Sequence, residues 1–326
     1  MLQQTQVAAA APYFERLVER FPDVRSLASA PIGDVMAAWA GLGYYARARN
    51  LHACARAVLE RHNGRFPRTS EALSELPGIG RSTAGAIAAF CFNERAPVVD
   101  GNVKRVLARH WAVEGDPGSA AVARRLWERA RLELPPARDM ARYTQAIMDL
   151  GATVCTRMQP ACDRCPVSVT CLALQSGRIA ELPAPRPRPE RPVRQSHVLV
   201  ALAGGAVLVQ RRPGNGIWGG LMCLPEFGSK AALARRARSL AASATELVLV
   251  PLPARRHMLT HLTLAIEPFV ANTGRVVPER DAGTACWVAL DGIDRAGLPA
   301  PHRALLNEVR EQFFVFGREG RLRSRA

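Results

Sequence analysis

The stretch that decides the fold of the first half of the chain is LPGIGRSTA, residues 76–84. It places Gly78 and Gly80 in a tight turn directly ahead of an alanine-rich helix. Glycine permits a tight turn, and the exposed backbone N–H groups at the start of a helix can hold a phosphate without reading a base sequence. A corner between two packed helices has the same pattern. The motif therefore indicates a phosphate-binding hairpin but does not identify one by itself.

Amphipathic helices are predicted on both sides of this turn. From Thr5 to about Leu150, apolar residues recur at three- and four-residue spacing, and turns such as Phe66-Pro67 separate the segments. This half is therefore predicted to be all-α. The run PAPRPRPERP, residues 183–192, cannot propagate a helix or pair as a central strand. It predicts an extended spacer and a domain boundary.

Beyond the spacer the pattern changes to runs rich in β-branched residues, which are typical of strands. The predicted elements are strands over residues 197–203, 207–212, 263–271 and 285–290 and helices over 230–242 and 301–314. Strands accompanied by two helices make this half α+β. The predicted domains are a helical domain (1–180), a linker (181–195), an α+β domain (196–316) and a basic tail (317–326).

Charge and hydropathy restrict the classes of partner. The 326 residues carry a formal net charge of +16, which suits a nucleic-acid backbone. An arginine-rich composition inherited from a GC-rich genome is the competing explanation. There is no run of about eighteen apolar residues and no basic start followed by an apolar stretch, so membrane spans and secretion signals are unsupported. The sequence thus predicts an intracellular, reducing location.

Four of the eight cysteines, Cys155, Cys162, Cys165 and Cys171, share one short segment with the spacing C-x6-C-x2-C-x5-C. Disulfides rarely persist in reducing compartments. Four thiolates this close can saturate one iron–sulfur or zinc centre, and ligand type alone does not decide between the two. The spacing resembles the [4Fe–4S] loop, here residues 155–171, of the endonuclease III and MutY superfamily of DNA glycosylases. The resemblance implies a structural [4Fe–4S] cluster.

A second motif, VVDGNVKRVL at residues 98–107, places Asp100 where it could cap a helix, which is usually a structural role. The turn at residues 76–84 resembles the helix-hairpin-helix element of the same superfamily. In that family the aspartate matching Asp100 stabilises the oxocarbenium-like sugar that forms as the glycosidic bond breaks. Relatives that also cut the strand carry a lysine matching Ser82, so the resemblance implies a monofunctional glycosylase. The DNA contacts it implies here are Gly78, Gly80, Ser82 and Asn102.

Two further segments resemble the MutY branch. They are MLQQTQV, residues 1–7, and GLGYYARARN, residues 41–50. In that family the glutamine and tyrosine matching Gln4 and Tyr44 wedge into the duplex beside the lesion, where they fill the space of an extruded base. An ordinary half-buried aromatic residue is the alternative for Tyr44.

The second half resembles the Nudix-like C-terminal domain of MutY, through WGGLMCLPEF at residues 218–227. A Nudix hydrolase needs a glutamate-rich metal-binding helix after that point, and residues 230–242 contain no glutamate. We therefore expect this domain to read a lesion and to hydrolyse nothing. The family's Phe-Ser-His loop, which contacts 8-oxoguanine, aligns with Leu259-Thr260-His261. The resemblance thus implies lesion contacts by Thr260 and His261.

The resemblance implies an adenine DNA glycosylase of base excision repair. It would act as a monomer on duplex DNA with adenine opposite 8-oxoguanine or G, in the bacterial cytoplasm at the nucleoid. In the family, a glutamate acts as the general acid and base. It lies two positions ahead of the residue matching Met1, so the sequence given does not include it. The chain as written is therefore expected to bind lesion duplex but to excise adenine slowly. The alternatives are a non-catalytic lesion-binding protein and a pyrimidine-lesion glycosylase and lyase, against which Ser82 argues.

Overall fold

The computed structural model describes residues 1–3, 5–185, 190–214, 216–241, 247–274, 276 and 284–316, with 295 and 312–316 described by backbone alone. Gln4, residues 186–189 of the predicted linker and the predicted tail 317–326 lie outside the described residues. No helix within the described ranges is long and apolar enough to span a bilayer.

By contacts the chain divides into two compact units. One consists of Met1–His52 and Glu190–Ala326, and the other is Ala53–Pro189. The division after Pro189 falls within the predicted linker. The predicted single helical domain 1–180 differs from this division, because the first 52 residues pack with the segment after residue 190. For example, Arg49 Nη1 donates to the carbonyl of Gly219 at 2.5 Å. The unit containing Met1 is called the mixed unit below, and Ala53–Pro189 the helical unit.

Helices make up most of the described chain before the linker. In chain order the helices are α1 (Val7–Arg20), α2 (Val24–Ser29), α3 (Ile32–Trp39), α4 (Ala46–His62), α5 (Ser70–Ser74), α6 (Arg81–Phe92), α7 (Gly101–His110), α8 (Ala120–Leu132), α9 (Met140–Asp149), α10 (Leu172–Gln175), α11 (Lys230–Leu240) and α12 (Ala300–Phe316). A π-helical turn, Leu150–Val154, follows α9 directly.

The helical unit is organised around α7. Apolar residues recur on one face of α7 and α8, and they form a buried cluster that includes Val103, Leu107 and Leu126. The helix α6 lies against α5 and α9. The packing of α7 fixes the direction of its N-terminus, where the sequence motif at residues 98–107 begins.

The mixed unit contains an eight-stranded sheet. Its strands are β1 (Val193–Ala203), β2 (Ala206–Arg211), β3 (Met222–Cys223), β4 (Glu226–Phe227), β5 (Val250–Pro251), β6 (Arg255–Met258), β7 (Thr263–Gly274) and β8 (Ala285–Ala289). The main strand order is β3-β2-β1-β7-β5, with β4 on β1, β6 on β7 and β8 on β2. Only β1 and β7 pair in parallel among these strands. Helix α11 buries Leu233, Ala237 and Leu240 against the sheet.

The predicted fold class, helical followed by α+β, is confirmed, and the four predicted strands correspond to β1, β2, β7 and β8. The sequence did not predict β3 to β6. Each of these is two to four residues long, so none is long enough to show a period of two residues.

Candidate functional site

The glycine turn is present in the helical unit as a hairpin between α5 and α6. Gly78 has φ +77, a left-handed conformation that favours glycine, and Gly80 is the N-cap residue of α6. No side chain caps this helix start. Backbone N–H groups at such a helix start point outward along the helix axis, an arrangement that suits an anion. Ser82 in the first turn accepts a hydrogen bond on Oγ from the N–H of Val99, at 3.2 Å.

Asp100 is the N-cap residue of α7. One carboxylate oxygen, Oδ1, accepts from the N–H groups of Asn102 at 2.9 Å and Val103 at 2.8 Å. The other oxygen, Oδ2, has no hydrogen-bond partner in the part of the chain that the structure describes. An acidic side chain is stabilising at the N-terminus of a helix, because the backbone N–H groups there carry partial positive charge. Asp100 can therefore cap the helix and also take part in chemistry. The backbone N–H groups hold Oδ1, while Oδ2 remains available to a substrate.

Arg105 was not predicted from the sequence, and it connects the Asp100 turn to the cysteine segment. Its Nη2 donates to Asn102 Oδ1 at 3.0 Å and to the carbonyl of Gly151 at 2.6 Å, and its Nε donates to the carbonyl of Cys155 at 2.7 Å. A Cβ at Gly151 would lie 2.8 Å from that of Asn102, so glycine allows this close approach. The three-residue spacing from Asn102 to Arg105 was a usable signal, but only for the contact within the helix.

The four predicted metal ligands lie around one small cavity of about 20 Å³, lined by Cys155, Cys162, Cys165 and Cys171. Burial, and then the charges of the other three cysteines, raise the pKa of the Cys162 thiol. A centre that carries positive charge would therefore relieve the cost of ionising Cys162. Among the described residues, no group of three or more His, Cys, Asp or Glu is arranged to hold a single metal ion.

Arg109 contacts the cysteine segment through its guanidinium group. Like Arg105, it was not predicted from the sequence. It is 3 % exposed. Its guanidinium lies 3.4 Å from Cys155 Sγ and donates to the carbonyls of Thr156, Arg157 and Leu182 at 2.7 to 3.0 Å. The buried guanidinium is therefore well satisfied by hydrogen bonds. It also places positive charge beside the Cys155 thiol, which would be a thiolate in a metal site.

In the mixed unit, a cavity of about 750 Å³ brings together residues from the two ends of the chain. Tyr44, Thr260 and His261 all line it, and so does Gln3. Tyr44 has φ +50 and is 44 % exposed. An L residue in this conformation is uncommon, and it is held here by the surrounding loop. We call this space the Tyr44 cavity. It gathers the described residues to which the resemblance assigned lesion contacts.

Arg47 supports one wall of the Tyr44 cavity. Its Nη1 donates to the carbonyls of Met1 and Gln3 at 2.6 and 2.5 Å, and its Nη2 donates to Thr5 Oγ1 at 3.0 Å. The guanidinium also lies 5.1 Å from the centroid of the Tyr44 ring. Arg47 thus ties the first residues of the chain to the loop that carries Tyr44. The sequence placed Arg47 three residues after Tyr44 but gave no indication of its partners.

A buried histidine lies behind Trp218, which lines the same cavity. His302 is 0 % exposed, its Nδ1 accepts from the N–H of Leu224 at 3.1 Å, and its ring meets that of Trp218 edge-on at 4.8 Å. Burial, and then the charge of Arg212, lower the pKa of His302 to about 3. The imidazole is therefore neutral at physiological pH and serves as an acceptor for the backbone.

Known protein families match the part of the chain that carries the hairpin and the part that carries the sheet. Residues 1–132 match the HhH-GPD superfamily of base excision DNA repair proteins, and residues 197–308 match the NUDIX domain. The chain is 30 % identical to an adenine DNA glycosylase of Buchnera aphidicola subsp. Schizaphis graminum, over 94 % of this chain and 88 % of that protein. The chain belongs to the adenine DNA glycosylase (MutY) family. The two matched parts occur together in this chain.

The mammalian members of the MutY family are longer. The human adenine DNA glycosylase is 49 % identical over 54 % of this chain, and the match covers 32 % of the human protein. A solved structure of a thermostable thymine-DNA glycosylase superimposes with a TM-score of 0.48 at 25 % identity, over 54 % of this chain and 80 % of that one. The two family matches and the full-length Buchnera relative confirm the resemblance to MutY predicted from the hairpin and the C-terminal segments.

Proposed function

We propose that this protein is an adenine DNA glycosylase of base excision repair that hydrolyses the N-glycosidic bond of adenine paired with 8-oxoguanine or G in duplex DNA. Family membership supports the reaction. The observation that carries the choice of substrate is the Tyr44 cavity, because Tyr44, Thr260 and His261 line one space although more than two hundred positions separate them in the sequence. A cavity of this size can accept a base and its sugar.

Asp100 is assigned to the chemistry. Excision leaves positive charge on the sugar as the bond to the base breaks, and a fixed carboxylate beside that charge lowers the barrier. The two backbone N–H donors on Oδ1 hold the group in one orientation without neutralising Oδ2. Because Ser82 stands where strand-cutting relatives have lysine, no amine is available at that position to form a covalent adduct with the sugar.

The hairpin and the net charge support binding to DNA. The start of α6 has no N-cap side chain and can offer N–H groups to a phosphate, and Gly80 leaves room for the backbone of the strand, because a Cβ there would meet no atom within 4 Å. The remaining assignments of DNA contacts to Gln4, Ser82 and Asn102 stay predictions. Asn102 accepts from Arg105 on its side-chain oxygen, and its amide N–H₂ group is the donor that a DNA phosphate would need. Cytoplasmic location and a monomeric state also stay predictions.

A [4Fe–4S] cluster is assigned to Cys155, Cys162, Cys165 and Cys171. The donor set fits, since four cysteines face one cavity and the Arg109 guanidinium lies beside one of them. Such a cluster, when bound, would crosslink the segment after α9 and fix its position against α7. Arg105 hydrogen-bonds both to Cys155 and to Asn102, so a fixed cysteine segment would also hold the Asp100 turn in place. The proposed role is therefore structural rather than redox-catalytic.

The test is single-turnover excision on four matched duplexes that carry A opposite 8-oxoguanine, A opposite G, A opposite T and an oxidised pyrimidine. The expected result is adenine release from the first two, slow in the chain as written and faster in a chain extended upstream to include the family's glutamate, without strand cleavage until alkali is added. Release of the pyrimidine lesion with cleavage in neutral buffer would instead assign a lyase. Binding of all lesion duplexes without any base release would assign a lesion-binding protein. Iron and sulfide analysis of anaerobically purified protein tests the cluster, and stoichiometric zinc without iron would overturn it.

A further inference from the structure

A second cavity lies in the mixed unit where strands β1 and β2 diverge. The two strands pair only between Leu202 and Val207 and between Ala203 and Ala206. Ahead of that point β1 pairs with β4, through His197 and Phe227, while β2 pairs with β3. The divergence leaves a cavity of about 300 Å³. Its lining residues are Arg194, Gln195, Ser196, Gln210, Arg211, Arg212, Pro213, Glu226, Phe227 and Gly228. We call it the β1–β2 cavity, and it shares no lining residue with the Tyr44 cavity.

Three arginines and one acidic residue line this cavity. Glu226 pairs with Arg212 at 2.8 Å, and both side chains are largely buried. The charge of Arg212 is therefore compensated inside the protein. The Arg194 side chain makes no hydrogen bond or ion pair with another described residue. Arg211 lines the cavity, but its guanidinium extends to the rim, where Nη1 donates to the carbonyl of Gly220 at 3.2 Å and the group lies beside Gly33 of α3. Two guanidinium charges are left without an acidic partner among the described residues.

Ser196 is the second, independent feature of the β1–β2 cavity. It lies two residues after Arg194 on β1, so both side chains are on the same face of the strand. Ser196 is only 4 % exposed, and its buried hydroxyl has no hydrogen-bond partner among the residues described. A buried hydroxyl without a partner costs stability, and native structures rarely keep one without a reason. A ligand oxygen would satisfy it.

We propose that the β1–β2 cavity binds the phosphate group of a nucleotide. The donors match that chemistry, because guanidinium groups bind phosphate oxygens with paired N–H bonds and a serine hydroxyl adds a neutral donor. The amide side chains of Gln195 and Gln210 and the ring of Phe227 line the remaining wall and offer contacts to a sugar or base. Residues 230–242, which follow the cavity, contain no glutamate to hold a catalytic metal, so the group is bound and not hydrolysed.

Two sources can supply this phosphate: a free mononucleotide or the backbone of a DNA strand. The volume of about 300 Å³ is at the lower end of pockets that enclose small molecules. The proposal is independent of adenine excision, since no residue of the β1–β2 cavity is placed in the catalytic or lesion-reading site.

The first experiment measures both sources on the full chain. Calorimetric titrations use inorganic phosphate and deoxyadenosine 5′-monophosphate, and fluorescence anisotropy measures the affinity of an undamaged duplex at several salt concentrations. The variants are Arg194→Gln, Arg211→Gln and the pair together. The control is Arg235→Gln, which removes the same charge from an exposed position on α11 outside the cavity. Circular dichroism confirms that each variant is folded.

A free-nucleotide site predicts millimolar or tighter binding of the monophosphate, weakened about tenfold or more by either cavity variant, with duplex affinity unchanged. A strand-phosphate site predicts weaker duplex binding in both variants, and a decrease of about 2 in the salt slope for the pair. The Arg235→Gln control is expected to change neither measurement. Absence of both effects, or an equal effect of the control, overturns the proposal.

Ser196→Ala gives a test with opposite signs. Removing an unsatisfied buried hydroxyl should leave the thermal midpoint of the free protein unchanged or raise it, while phosphate or duplex affinity falls about fivefold. A merely structural hydroxyl, bonded within the protein, would lower the midpoint and leave affinity unchanged. That second result would overturn the assignment of Ser196 as a ligand.

Discussion

The helical unit and the mixed unit build their candidate sites in different ways. In the helical unit the hairpin, Asp100 and the four cysteines each lie within a short stretch of sequence, and local turns and caps orient them. The Tyr44 cavity, by contrast, joins residues 44 and 260, which only the tertiary fold brings together. Local sites are visible in the sequence because helix caps and metal loops have short-range signatures. Long-range sites depend on packing that no single motif encodes.

The difference implies that local substitutions in the helical unit should act on the chemical step, whereas substitutions in the mixed unit should act on recognition and stability. Arg105 and Arg47 are the informative intermediate cases. Each is a single side chain that ties a locally defined turn to another segment, through backbone carbonyls that could not be identified from sequence.

The largest effect is expected for Asp100→Asn. Asparagine caps a helix about as well as aspartate, so α7 should remain intact while the charge that stabilises the sugar cation is lost. In a chain extended upstream to include the family's glutamate, single-turnover excision of adenine opposite 8-oxoguanine should fall by about 10²- to 10³-fold with duplex affinity unchanged. Asp116→Asn, which removes a similar backbone-bonded carboxylate elsewhere, is the control. Undiminished excision by Asp100→Asn would refute its catalytic role.

Arg105→Gln should have the next largest effect. It removes the donors that join Asn102 to Gly151 and Cys155, so the Asp100 turn loses its support. Excision is expected to slow by about 10- to 100-fold, as is typical when a residue that orients a site residue by hydrogen bonds is removed. Arg56→Gln, at an exposed ion pair on α4, is the control. A slower excision step with iron content and duplex affinity retained would identify Arg105 as a positioning residue, and normal excision would exclude this role.

Acid should destabilise the mixed unit through His302. Its pKa in the folded protein is about 3 and that of an unfolded histidine is 6.5. As the pH falls below 6.5, His302 takes up a proton in the unfolded chain but not in the folded protein. The free energy of unfolding is therefore highest above pH 6.5 and decreases toward pH 3. From pH 7 to pH 5 the free energy of unfolding should drop by about 2 kcal/mol.

Urea unfolding at the two pH values measures the effect of His302. His302→Gln, which keeps an acceptor for the Leu224 N–H, should make the dependence shallower, while His261→Gln at an exposed position should not. An equal pH dependence in all three proteins would show that other groups cause it.

Thr260→Ala should have the smallest effect. Loss of one hydrogen bond to the lesion is expected to reduce the preference for A opposite 8-oxoguanine over A opposite G by about fivefold, without slowing excision opposite G. The ratio of single-turnover rates on the two duplexes measures this preference, with Ser239→Ala on α11 as the control. An unchanged ratio would mean that Thr260 lines the Tyr44 cavity without reading the lesion.

The sequence predicted the fold class, the longer strands and the resemblance to MutY, because helical periodicity, strand alternation and the spacing of glycines and cysteines are all short-range properties. It also identified Asp100 as both a helix cap and a candidate catalytic group. It did not predict the short strands β3 to β6, whose pairing depends on their neighbours in the sheet.

Three features were decided by the tertiary structure alone. The first 52 residues group with the C-terminal part, Arg105 and Arg109 hold the cysteine segment, and Ser196 is buried in the β1–β2 cavity that arginines also line. In each case the partners are backbone carbonyls or buried surfaces contributed by distant segments. Every residue carries the same backbone groups, so the amino-acid sequence contains no local signal for which carbonyl an arginine will meet.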